Sequence, residues 1–124
     1  MGTGKTTFAR ALLAGLGVSQ PPEGSPSFAI AHEYDSLRGN VVHIDFYRLK
    51  HESEIEDAGV GAYFWERKAI VVSEWISMFP DFGNAVCEAA ARENSGTRIW
   101  KVGLEFSPLS GDSPQNRNIS ITVI

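Results

Sequence analysis

The chain begins Met1-Gly2-Thr3-Gly4-Lys5-Thr6-Thr7, and these residue types at this spacing suit the capture of a phosphate. Gly2 and Gly4 let the backbone turn tightly and approach a ligand with no side chain in the way. Lys5 offers a point charge to phosphate oxygens, and the Thr6 hydroxyl suits Mg²⁺. Phe8, Leu12, Leu13 and Leu16 recur at helical spacing, which predicts a helix from Thr6 to Leu16 with Gly15 or Gly17 as its stop. Such a helix points unpaired N–H groups of its first turn back at the loop, where they favour an anion. The segment matches the second half of the pattern G-x-x-x-x-G-K-[ST]. The first glycine of that pattern falls two positions upstream of Met1, as does the buried strand that feeds such a loop. The sequence therefore reads as a P-loop whose first half is missing.

Two carboxylates complete the candidate chemistry. Asp45 sits in the β-rich run Val41-Val-His-Ile-Asp-Phe-Tyr47, flanked by His43, Tyr47 and Arg48. A buried carboxylate is costly unless paired or bound to a cation, and Mg²⁺ beside Thr6 would supply one. The other reading is an Asp at a strand end facing water. Glu74 follows the apolar run Ala69–Val72, at the end of a strand where α/β folds place their ligands. It reads as a metal or water-positioning group, or as an exposed terminus. Trp75 reads as core packing or as a surface for nucleotide or partner. Ser27, in a loop rich in Pro21, Pro22, Gly24 and Pro26, fits an element that orders on a phosphate and its metal, or a plain turn. His43 reads as a core histidine bonded to backbone.

The elements that must hold these groups follow from pattern. Phe28–Tyr34 and Val41–Tyr47 read as strands joined by the turn 35–40, an antiparallel pair. Ser53-Glu-Ile-Glu56 fits a capping box, with Ser53 as N-cap of a short helix toward Ala58. Tyr63, Phe64 and Trp65 read as core or edge packing. Ala69–Val72 reads as a short buried strand. Pro80-Asp81 opens an alanine-rich helix to about Asn94, closed by Ser95-Gly96. Thr97–Phe106 reads as a strand, 107–116 as a loose loop, and the alternation of Ile119–Val123 as a last strand.

With 124 residues, 43% of them hydrophobic, the chain suits one domain, 1–124, with a single core. A net charge of -4 and the lack of any Lys/Arg cluster argue against direct nucleic-acid binding by charge. Cys87 is the sole cysteine, so no intrachain disulfide forms, and its alanine-rich surroundings suggest a packed helix face. No apolar run has the length of a membrane span and no segment resembles a signal peptide, so the cytoplasm is the expected compartment. The start also satisfies an N-myristoylation pattern, which we read as coincidence with the phosphate loop.

In order, Gly2-Thr-Gly-Lys-Thr-Thr7, Ser25-Pro-Ser-Phe28, His43-Ile-Asp-Phe-Tyr-Arg48 and Glu74-Trp75 resemble the landmarks of one family. This is the TsaE (YjeE-type) family of P-loop ATPases, which supports threonylcarbamoyladenosine modification of tRNA in bacteria. The resemblance covers about residues 1 to 82, with Glu54–Phe64 similar to the family's linker helix and Arg117 a weak further match. H-x-D-x-Y-R followed by E-W is its specific part. Ser73 departs from the apolar residue usual before E-W, and the tail 94–115 has no clear counterpart.

The resemblance implies a P-loop NTPase-like three-layer α/β sandwich with a mixed sheet, parallel at its centre and antiparallel at its sides, lacking its first strands. It implies ATP and Mg²⁺ as cofactors. Gly2, Thr3, Gly4, Lys5, Thr6 and Thr7 would hold the nucleotide, with Trp75 beside it. Thr6, Ser27, Asp45 and Glu74 would serve the metal, and Lys5, Asp45 and Glu74 the catalysis. The implied partners are other proteins of the tRNA threonylcarbamoyladenosine complex, TsaD- and TsaB-like, with tRNA met only indirectly. The expected activity is weak ATP hydrolysis that supports formation of the modification without transferring the group. A small-molecule kinase and a non-catalytic truncated binding module are the alternatives.

Overall fold

The strand β2 (Gly39–Asp45) is sealed on both faces from Val41 to its end, and the fold is laid out around it. The computed structural model describes residues 5–18, 30–92, 95–106 and 117–123. The expected loop residues Gly2, Thr3, Gly4 and Ser27, and the expected loose loop 107–116, lie outside these. On one side β2 pairs antiparallel with β1 (Ala31–Ser36), Ala31 facing Ile44 and Ser36 facing Gly39. On the other it pairs parallel with β3 (Ile70–Glu74), Val41 facing Ile70 and Asp45 facing Glu74. The sheet is thus mixed, with order β1-β2-β3, and the protein is α/β.

Because side chains alternate along a strand, β2 serves two cores. Val41 packs with Leu13 and Val18 under α1 (Lys5–Gly15), joined by Tyr34, Ile70 and Val72. Val42 and Ile44, with Phe46 beyond the strand, face the opposite way. There they meet Ile55 of α2 (Ser53–Asp57), Phe64 of α3 (Ala62–Trp65) and Phe82 of α4 (Pro80–Ala91). Full burial of each Val or Ile stabilises by about 1.5–3 kcal/mol, and this is why a continuous apolar run suits a strand covered on both faces. Three layers result: α1, the sheet, and α2 to α4.

The structure decides some local expectations and corrects others. Of the two glycines offered as the stop of the first helix, Gly17 serves: it has φ +90°, its N–H reaches Ala14 O, and the Val18 N–H reaches Leu13 O. That is a Schellman stop, with its apolar contact supplied by Leu13 and Val18. Ser53 is not an N-cap. Glu52 before it is already helical (φ -60°, ψ -32°), so Ser53 lies inside the helix instead of in the extended geometry that capping needs. Glu54, not Glu56, reaches back, accepting the Lys50 N–H at 3.2 Å.

The expected single linker helix over Glu54–Phe64 is broken in two, because Gly59 (φ +71°) closes α2 with the same pair of bonds seen at Gly17. The strand β3 is half-buried until Glu74, since among the described residues it is an edge of its sheet. The helix α4 stops at Ala91, three residues short of expectation, and Arg92 is extended. The last two strands, β4 (Trp100–Phe106) and β5 (Arg117–Val123), pair antiparallel as a sheet of their own.

Candidate functional site

Parallel pairing brings the ends of β2 and β3 together, and both end in a carboxylate. Asp45 and Glu74 are in register, both buried, on the face of the sheet that α1 covers. This is the C-terminal edge of parallel strands, the usual ligand position in α/β folds. Here α1 begins at Lys5, so its first-turn N–H groups stand beside the same edge.

Contact across that edge is direct. The Thr6 hydroxyl donates to Glu74 Oε1 at 3.0 Å. Glu74 Oε2 accepts from His43 Nε2 at 2.6 Å, a short bond between side chains 1% and 6% exposed. An ionised carboxylate only accepts, so with Glu74 ionised this bond needs its proton on Nε2. The other nitrogen, Nδ1, is buried with no hydrogen-bond partner among the described residues. The line Thr6–Glu74–His43 therefore ties α1 to β3 and β3 to β2. His43 corrects the sequence reading: it is buried, as expected, but its partner is Glu74 and not the backbone. The signal was present in the i, i+2 spacing of His43 and Asp45, which puts both on one face of a strand.

Asp45 is held differently. Its Oδ1 accepts the Tyr47 N–H at 3.0 Å and caps a 3-10 turn at Phe46–Arg48, while its own N–H bonds Ile30 O. The cap turns the chain sharply and brings Tyr47 onto Trp75, ring centroids 5.0 Å apart. Trp75 has φ 65° and ψ 19°, the left-handed region, and is the sole non-glycine residue with positive φ among those described. A bulky side chain rarely tolerates that conformation. Lys5 Nζ lies 5.1 Å from the Trp75 ring centroid, a cation–π distance. Sequence reasoning did not single out Tyr47 for this role, because only the turn after Asp45 sets it against Trp75. Thr7 is exposed in the first turn of α1. The site thus gathers Lys5, Thr6, Asp45, Glu74 and Trp75.

The donor set suits a hard cation. Thr6 gives its proton to Glu74, so its oxygen can act as a donor toward a metal, and Asp45 adds a carboxylate at the same strand ends. Among the described residues no group of three or more His, Cys, Asp and Glu side chains could hold a metal. A cation here would keep waters and take phosphate oxygens, as Mg²⁺ does.

The sequence matches the family described as threonylcarbamoyl adenosine biosynthesis protein TsaE over residues 1–99. This chain belongs to the TsaE family. The TsaE "tRNA threonylcarbamoyladenosine biosynthesis protein" of Bacillus subtilis is 35% identical over 97% of this chain and 77% of its own length. That of Aquifex aeolicus is 39% identical over 55% of this chain and 53% of its own. That of Haemophilus influenzae is 36% identical over 60% of this chain and 46% of its own. The alignments with the last two span about half the length of those relatives. The TsaE match includes the first turn of α1, both carboxylates and Trp75. No helix among the described residues is long and apolar enough to cross a membrane.

Proposed function

We propose that the chain is a P-loop ATPase that binds Mg²⁺ and ATP and hydrolyses it weakly. It acts with partner proteins, TsaD- and TsaB-like, in forming threonylcarbamoyladenosine on tRNA, without transferring the group itself. The observation that carries this reading is the bond from Thr6, in the first turn of α1, to Glu74 beside Asp45. The tRNA modification is taken from the relatives, which are tRNA threonylcarbamoyladenosine biosynthesis proteins.

In this reading Lys5 and the first-turn amides hold the phosphates by charge and hydrogen bonds. Phosphate binding draws the Lys5 ammonium from the Trp75 ring onto the anion, the stronger partner. The Thr6 oxygen and Asp45 would hold the metal, and Glu74 would orient Thr6 and the attacking water. Mg²⁺, when bound, neutralises charge that develops on the transferred phosphoryl group. Proteins that catalyse by positioning and charge alone are slow without every charge in place. Hydrolysis is therefore expected to rise with the partner proteins present.

The test is ATP binding by calorimetry and phosphate release by the wild type and Lys5→Ala, with and without those partners. We expect ATP binding that Lys5→Ala abolishes, and partner-stimulated turnover. Equal turnover in both proteins sinks the ATPase reading. Turnover that depends on a metabolite and not on partners would favour a small-molecule kinase.

A further inference from the structure

Every described β2 residue that faces a core is apolar except the last two on the α1 side, His43 and Asp45, which follow Val41. Packing alone does not ask for a histidine here. Its ring is 1% exposed, and burying it leaves Nδ1 without a hydrogen bond among the described residues. A valine or leucine would fill the same space with no such cost. What the histidine adds is one bond, Nε2–H to Glu74 Oε2 at 2.6 Å.

We propose that His43 is a positioning residue that locks the Glu74 carboxylate into the orientation in which it serves Thr6 and the metal, a role resting on the ATPase reading above. The geometry is specific. In the parallel register His43 lies beside Val72, so Glu74 is its diagonal neighbour on the same face. A glutamate has three rotatable bonds, and the short bond from the His43 ring fixes one of its two oxygens. With Oε2 held by a rigid ring anchored on the buried end of β2, Oε1 is left aimed at Thr6. The Thr6 hydroxyl then points its proton at Glu74 and its lone pairs outward. His43 touches neither nucleotide nor metal and acts through Glu74 alone, as second-shell partners of metal sites do.

Two measurements test this. In the metal-free protein, ¹⁵N spectra of the His43 ring should show the proton on Nε2; a ring protonated on Nδ1 alone overturns the proposal. ATP titrations with and without Mg²⁺ then compare wild type, His43→Leu and His43→Gln. Loss of the bond should reduce the gain in ATP affinity that Mg²⁺ brings by about 10–100-fold in the leucine variant. Affinity without Mg²⁺ should stay unchanged. Glutamine, whose side-chain N–H₂ can donate from nearly the place of Nε2, should recover most of the gain.

A leucine variant with the full gain, or a glutamine variant as poor as leucine, overturns the proposal. Should the leucine variant not fold, the glutamine variant and the ring spectra decide. Lys5→Ala serves as the separate control, since it should lose ATP with or without Mg²⁺ whatever His43 does. If the wild type itself binds no ATP, the ATPase reading falls. The ring spectra then decide the His43–Glu74 bond alone.

Discussion

Trp75 carries the clearest tension of any single residue in the protein. Its backbone sits in the left-handed region at φ 65°, which costs an ordinary L-residue about 1–2 kcal/mol. Its ring is held by Tyr47 at 5.0 Å and lies under Lys5 at 5.1 Å. Aromatic pairs contribute about 0.5–1.5 kcal/mol beyond area burial, and exposed cation–π contacts about 0.5–1 kcal/mol. The contacts are thus of the size of the strain, and the two can be separated. Trp75→Gly and Trp75→Ala both remove the ring, but only glycine relieves the backbone. At ordinary positions Ala is the more stable of the two; here Gly should win by about 1 kcal/mol in urea denaturation. An alanine variant as stable as the glycine variant would show that Trp75 is not strained. Lys5, Thr6, Asp45 and Glu74 could be picked out of the sequence because their types and spacing are those of phosphate and metal chemistry. The His43–Glu74 bond could not, because it depends on a register between strands that begin far apart in the chain.

Helix ends decide how the elements meet. Both α1 and α2 stop at a glycine in the left-handed region followed by a buried valine, Gly17-Val18 and Gly59-Val60. In each, the valine N–H bonds back to a buried residue of the helix, Leu13 or Ile55, and packs in the same cluster with it. The stop is therefore also a core contact, which explains why it outcompetes Gly15 and why Glu54–Phe64 does not run on as one helix. Sequence alone marks such glycines as candidate stops but does not rank them, since the valine contact that ranks them is tertiary. Gly17→Ala and Gly59→Ala should each lose about 1–2 kcal/mol of stability by denaturant titration. Gly17 should lose more. A Cβ there would meet the Leu37 side chain at 3.0 Å, whereas at Gly59 nothing lies within 4 Å. The difference should be small, because Leu37 is 93% exposed and free to shift. Equal stability of Gly17→Ala and wild type would show that α1 does not end in this motif.

Across the whole chain, stability should be uneven. The strand β2 has a neighbour on each side and a core on each face, whereas among the described residues β4 and β5 have only each other as strand neighbours. Trp100, Ile119, Ile121 and Val123 on that hairpin are each more than half exposed. The alternation that marked Ile119–Val123 as a strand was legible because period two survives without burial. The partner also read as a strand, but their pairing was not legible, since it needs the register of Trp100 on Val123 and Phe106 on Arg117. A two-stranded sheet with an open apolar face is marginal in water, and local opening follows local burial. Backbone amides of Val41–Ile44 should therefore exchange with deuterium slowest, at rates set by global unfolding. Those of Trp100–Leu104 and Ile119–Val123 should exchange far faster, through openings that leave β2 closed. Mg²⁺ and ATP, binding at the ends of β2 and β3, should slow exchange in the sheet β1-β2-β3 and the first turn of α1 while leaving the hairpin's rates unchanged. Slowing of both sheets together would mean that the hairpin unfolds only with the body of the protein and that the two sheets form one cooperative unit.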